Sequence, residues 1–215
     1  MLHTMPEQPT PPSEFDLPLA GTAVWAGPDG LGDSSFDDVP APQAVELPED
    51  LGDDPRIALR RTLGMFATGV TVITTREGDQ VHGMTANAFM SVSLEPPLVL
   101  ISVDRRTKMC ALLHEGRSYG VSVLCESQAS LSDRFAGRVA KDETPEPRFE
   151  VVHDTPLVEG ALAHFVANIN RSYWGGDHSL FLGRVGYARY TEGTPLLFHG
   201  GRYERLTPPH GNAII

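Results

Sequence analysis

Lysine and arginine are absent from the first 55 residues, a stretch that carries twelve Asp and Glu. Residues 56–215 hold sixteen acids against seventeen Lys and Arg, so the net charge of −11 belongs to the N-terminal stretch. The rest is nearly neutral, and no basic stripe interleaved with aromatics marks a nucleic-acid surface. No apolar run approaches the ~18 residues of a membrane span. The opening MLHTMPEQPTPPSEF lacks the basic start and apolar core of an export signal. Cysteine is nearly missing as well. Cys110 and Cys125 have no partner at metal-ligand spacing, and the eight histidines do not cluster, which argues against a zinc site. Two thiols without an export signal point to a reduced, cytoplasmic protein. There is no G-x-G-x-x-G after a strand, no Walker loop, no G-x-S-x-G elbow and no H-E-x-x-H. An enzyme without these motifs draws its chemistry from a bound cofactor and supplies position and hydrogen bonds.

Ten of the eighteen prolines also fall in the first 55 residues. Such a segment buries too little apolar surface to offset the entropy of ordering it. The expected organisation is a disordered acidic arm (1–52), a folded domain (53–207) and a short tail (208–215).

Within the domain, Pro55 opens a helix capped by Asp53 or Asp54, with Ile57, Leu59, Leu63 and Phe66 near one side. VTVITT is a strand, REGDQ a turn, and VHGMTANAFMSV the returning strand. Pro96-Pro97 restarts the chain as LVLISV, a continuous apolar run typical of a buried strand. A helix over Arg106–His114 ends at Gly116. The strand YGVSVL follows, then the helix ESQASLSDRF, capped by Glu126 or Ser127. Residues 137–157 read as a polar connection, and three strands finish the fold: Ala163–Tyr173, His178–Tyr190 and Leu196–Leu206 with a Gly200-Gly201 turn. About seven strands with hairpin connections and three short helices give a mainly β protein, an antiparallel Greek-key barrel with peripheral helices.

One strand is unusual. From Gly83 to Leu94 there is no charged residue. Alternation puts Thr85, Asn87, Phe89, Ser91 and Ser93 on one face, and Ala86, Ala88, Met90, Val92 and Leu94 on the other, toward the barrel interior. A neutral polar face suits a planar, heteroatom-rich ligand or a subunit interface. Composition leaves both open.

The blocks FATGVTVITT, GMTANAFMSVSLEPPLVLISVDRRTK, GGDHSLFLGRV and LLFHGGRYERL resemble the flavin reductase family in order and spacing, from about Asp54 to Leu206. These are split-barrel reductases of two-component flavin monooxygenases. The resemblance implies FMN or FAD as flavin and NADH or NADPH as donor. It implies hydride transfer from nicotinamide C4 to flavin N5, a homodimer, and a monooxygenase partner. It sets Thr85, Ala86, Asn87 and Ala88 along the isoalloxazine, and Ser91, Val92 and Ser93 along the ribityl chain. Arg106, Thr107 and Lys108 fall at the phosphate, with Arg105 in reserve. Gly176, Asp177 and His178 match the family's nicotinamide-binding signature, and His178 would place the donor over the flavin. Phe135, Phe149 and Tyr203 are candidate walls of the cleft. The alternatives are a pyridoxamine-phosphate-oxidase-like flavoenzyme on the same barrel, or a non-catalytic flavin-binding protein whose arm contacts a partner.

Overall fold

Proline at the first helical position and the Asp54 carboxylate, accepting from Arg56 N–H at 2.9 Å, start helix α1 (Pro55–Leu63) in the computed structural model. The structure describes residues 54–115, 118–140 and 143–206. The arm 1–52, the tail 208–215, Asp53 and the helix stop at Gly116 lie outside the described residues.

Strands β1 (Thr68–Gly69), β2 (Thr71–Glu77), β3 (Gln80–Ala86), β4 (Phe89–Leu94) and β5 (Pro97–Asp104) come first. Helix α2 (Lys108–Glu115), β6 (Ser118–Val123), a 3₁₀ turn (Glu126–Gln128) and α3 (Ala129–Phe135) follow. The chain closes with β7 (Phe149–Val152), β8 (Thr155–Val158), β9 (Ala163–Gly175), β10 (His178–Tyr190), β11 (Leu197–His199) and β12 (Arg202–Glu204).

Seven strands form one sheet in the order β3-β2-β6-β9-β10-β5-β4, with every pairing antiparallel. Its two edges, β3 and β4, are consecutive in the chain, with only Asn87 and Ala88 between them. Three Cα steps of ~3.8 Å therefore bound the gap between the edges to about 11 Å. A flat sheet of this order would separate them by roughly 29 Å at ~4.8 Å per strand. The sheet must curl until its edges meet, which is the split barrel. The crossing is pinned on both sides: Thr71 Oγ1 donates to the Ala86 carbonyl at 2.7 Å, and Ser102 N–H donates to the Ala88 carbonyl at 3.1 Å.

One core fills the barrel, with Ile73, Val99, Ile101, Val121, Phe181 and, from α2, Met109 and Leu113. A second lies on the outer side, where Val72, Leu124, Val158 and Leu196 pack with Phe135, Phe149, Phe198 and Tyr203. Alternation along β2 sends Ile73 to the first and Val72 to the second.

Several expectations need correction. The single strand over 81–92 is two strands, broken at the crossing. The break shifts the alternation by one residue: Met84 and Ala86 pack on the barrel core, and the next to do so is Phe89, not Ala88. Met90, Val92 and Leu94, expected inside, are exposed, Leu94 by 90%. The run LVLISV is not uniformly buried. Val99, Ile101 and Val103 face the core while Leu98, Leu100 and Ser102 are half-buried, because the outer face of β5 is only partly covered. In α1 only Ala58 is buried, and Ile57, Leu59 and Leu63, with Phe66 beyond its end, are exposed, so the helix is covered at one residue rather than along its apolar side. The 3₁₀ turn is capped by Cys125, whose N–H is taken by the Gln128 side chain at 3.1 Å, rather than by Glu126 or Ser127. The connection 137–157 contains the β7–β8 hairpin, pinned by Thr74 Oγ1 donating to the Pro156 carbonyl. The last expected strand is two short ones in a separate sheet with β1.

Candidate active site

The end of β3 lies against α3 because Thr85 Oγ1 donates to the Ser132 carbonyl at 2.7 Å. Gly83 permits that approach, since a Cβ there would sit 2.5 Å from Phe135 Cε1. The Tyr203 hydroxyl reaches the same helix and hydrogen-bonds Ser132 Oγ and Asp133 Oδ1, each at 2.8 Å. Burial, with Asp133 beside it, pushes this phenol up from its ordinary value. Arg138 Nη1 is 3.3 Å from Asp133 Oδ1, and its guanidinium lies 5.7 Å from the Phe198 ring centre and 5.9 Å from that of Tyr203. Arg138 and Tyr203 line a pocket of about 150 Å³ with Val70, Thr85, Ala86, Asn87, Ser132, Ala136 and Phe198. Thr68, the register partner of Phe198, has a buried hydroxyl with no partner among the described residues. Thr68 does not itself line the pocket, and the lining side chains that offer a ligand polar atoms are Asn87 and Arg138.

Phe135, expected on the cleft wall, is not among these lining residues. It packs in the outer core, edge-on to Phe149 with ring centres 6.3 Å apart. Ser91 and Val92 are exposed on the edge strand and Ser93 is half-buried, with a register shift between Ser91 and Ser93. A larger cavity of about 340 Å³ between Ser127–Leu131, Thr144–Arg148 and Glu159 contains none of the expected residues.

The Gly176-Asp177-His178 segment forms the β9–β10 turn, where Gly176 takes a left-handed φ of 68°. His178 stands in register with Asp104 at the end of β5, and Arg105 N–H donates to the Asp177 carbonyl at 3.0 Å. Ser102, which holds the Ala88 carbonyl, is two residues before Asp104. The crossing and the turn are therefore brought to the same end of β5. His178 Nδ1 lies 2.7 Å from Asp177 Oδ1. A carboxylate only accepts, so Nδ1 carries the proton, which leaves Nε2 of the neutral ring as an acceptor. That hydrogen bond also holds the Asp177 carboxyl below the usual range.

The residues expected at a phosphate are engaged within the chain. Arg106 binds Asp104 through its side chain at 2.6 and 3.1 Å and its backbone N–H at 2.9 Å, holding that carboxyl well below the usual range. Thr107 Oγ1 donates to the Asp104 carbonyl at 2.7 Å and accepts from Cys110 N–H at 3.2 Å, as the cap of α2. Lys108 Nζ pairs with Glu77 at 2.7 Å. Arg105 lies 4.5 Å over the Trp174 ring. Sequence reasoning missed Ser132, Asp133, Arg138 and Asp104; nothing in their spacing signals a site, because the first three gain their roles only from Thr85 on β3 and Tyr203 on β12, and Asp104 from its register with His178.

Residues 63–207 match the family described as flavin reductase like domain. An NADH-dependent flavin reductase from Rhodococcus is 46% identical over 159 residues, covering 71% of this chain and 89% of that protein. The reductase component of 4-hydroxyphenylacetate 3-monooxygenase from Thermus thermophilus is 39% identical, covering 71% and 97%. Among solved structures, flavin reductase PheA2 is 43% identical with a TM-score of 0.69, covering 72% of this chain and 99% of its own. The Streptomyces globisporus NADH:FAD oxidoreductase SgcE6, in complex with NAD and FAD fragments, is 41% identical with a TM-score of 0.68, covering 74% and 98%. On this match over most of its length, and on a split barrel shared with those structures, the chain belongs to the flavin reductase like domain family.

Proposed function

We propose that this protein is an NADH-dependent flavin reductase that delivers reduced FMN or FAD to a separate monooxygenase. The carrying observation is the placement of the neutral Thr85–Ala88 crossing and the Gly176–His178 turn at one end of β5. The reaction moves a hydride from nicotinamide C4 to flavin N5, and it needs two rings held in near contact more than a strong general base. Thr85, Ala86, Asn87 and Ala88 provide a face without charge or bulk on which a planar ring can lie close to the backbone. Asp177 orients the His178 imidazole, whose Nε2 accepts from the carboxamide of the nicotinamide and so aims C4. Tyr203 closes the far wall of the pocket.

The phosphate end is led by the start of α2. Lys108 is the exposed partner of Glu77, a pair weak enough in water to exchange for a dianion, while Arg106, held three times by Asp104, adds its positive charge without leaving that carboxylate. The exposed Met90, Val92 and Leu94 on edge strand β4 support a homodimer, in which a second copy covers that strand and encloses the ribityl track at Ser91–Ser93. No helix among the described residues is long and apolar enough to cross a membrane, and we place the reaction in the cytoplasm, where NADH is supplied.

The test is anaerobic mixing of the purified protein with NADH and either flavin, followed at 340 and 450 nm. Rapid bleaching of both bands is expected, with NADPH a poorer donor. No turnover with either flavin would sink the reading, and H178A with unaltered NADH kinetics would remove the turn from the site.

A further inference from the structure

Arg138 is assigned no role by the family resemblance, yet among the described residues it is the one cation on the pocket that Thr85, Ala86 and Asn87 line. Its side chain is half-exposed at 50%, and its ion pair with Asp133 is long, 3.3 Å, to an oxygen that also serves the Tyr203 hydroxyl. By contrast Arg106, on the other side of the site, is bound three times by Asp104. The guanidinium of Arg138 is kept at the pocket by the faces of Phe198 and Tyr203.

Hydride transfer creates charge that the pocket must accommodate. The C4–H bond of the dihydronicotinamide breaks with its electron pair and a bond to flavin N5 forms. The nicotinamide becomes a cation and the flavin ring an anion, with no proton taken up. The new negative charge is delocalised over the N1–C2=O edge of the ring. We propose that Arg138 is the group that holds this edge and stabilises the reduced flavin, so that it sets the protein's preference for reduced over oxidised flavin. The proposal rests on the reading that the ring lies along Thr85–Ala88.

A phosphate is the competing anion for this arginine, and the pocket does not suit it. A dianion needs several donors, backbone N–H groups among them. Here Val70, Ala86, Ala136 and Phe198 make apolar walls, the Thr85 and Tyr203 hydroxyls and Ser132 Oγ are already hydrogen-bonded, and Asn87 adds a single amide. A planar, delocalised monoanion between apolar walls matches one planar guanidinium. Positive charge near N1 is also how a protein tunes a flavin's electronics.

The test compares binding of oxidised and of dithionite-reduced FMN, under argon, to wild-type protein, R138Q and R138K. Losing a charge-assisted hydrogen bond to the ring should weaken reduced FMN about tenfold in R138Q, and oxidised FMN less than about threefold. The midpoint potential of the bound flavin should fall accordingly. R138K, which keeps the charge, should keep the preference for reduced flavin. Riboflavin, which has no phosphate, should show the same redox-dependent loss as FMN. Equal loss in both redox states, a loss seen with FMN but not riboflavin, or R138K behaving as R138Q would each overturn the proposal. Should R138Q not fold, the lysine variant and the riboflavin arm still decide it. Failure of the underlying reading is distinguishable, because A88W would then leave the binding of both redox states of either flavin unchanged.

Discussion

Strands β3 and β4 come from one uncharged run of sequence and end with opposite fates. β3 is covered along one side by α3, with Gly83 under Phe135 and Thr85 bonded to Ser132, so its residues are all at least half-buried beyond Gln80. β4 pairs only with β5 and leaves Met90, Val92 and Leu94 in water. The same composition therefore serves two purposes. In β3 and the crossing it lines a pocket built by this chain, and in β4 it leaves an exposed edge, the strand proposed above as the seat of a second copy.

The sharpest way to break that contrast is a bulky residue at the crossing. Ala88 is exposed, so Trp there spares the core but occupies the space of the ring. A88W should lower kcat/KM for flavin by about 100-fold, as misplacement of a reacting ring does. Unchanged flavin kinetics would move the ring away from the crossing.

Packing should differ between the strands as sharply as binding. Gly83→Val drives a side chain into the Phe135 ring and should cost about 1–3 kcal/mol. Ser91→Val on exposed β4 should stay within about 0.5 kcal/mol. Urea denaturation of both variants reads this, and equal losses would erase the distinction.

The edge strand can be tested by charge. V92D with L94D should leave monomer stability within about 0.5 kcal/mol of wild type while shifting the mass seen by light scattering from dimer to monomer. A mass that does not change, or a wild type that is already monomeric, removes the second copy from β4.

The smallest effect belongs to the acid end of the site. Asp104 has a folded pKa depressed below its ordinary 3.8 by Arg106. Its stabilisation is complete above that value and is lost as pH falls through the depressed one. D104N should therefore melt slightly below wild type at pH 7, with the gap narrowing only below about pH 4. A gap that is constant with pH would mean that packing, not charge, is lost.

Much of the architecture was readable one residue at a time. A cap at Asp53 or Asp54 and the β2–β3 hairpin follow from local propensity, because their hydrogen bonds close within the segment or with its neighbour. The span of β10 follows from an unbroken strand-forming run, although about half of its length also pairs with distant β5. The phase of Phe89 was not readable, since the slip at Asn87–Ala88 exists only because the chain must jump between sheet edges there. Arg138, Asp133 and Tyr203 were equally hidden as a group; a pocket made by α3, β3 and β12 leaves no spacing in the sequence.

The sequence by itself determined the family, the uncharged crossing and the glycine turn before His178, because these depend on residue type and order. Tertiary structure decided which side of the uncharged run faces the core, which arginines are already saturated by carboxylates, and that crossing and turn share one end of β5. Those outcomes depend on curling a seven-stranded sheet until its first and last strands meet, a constraint no single segment carries.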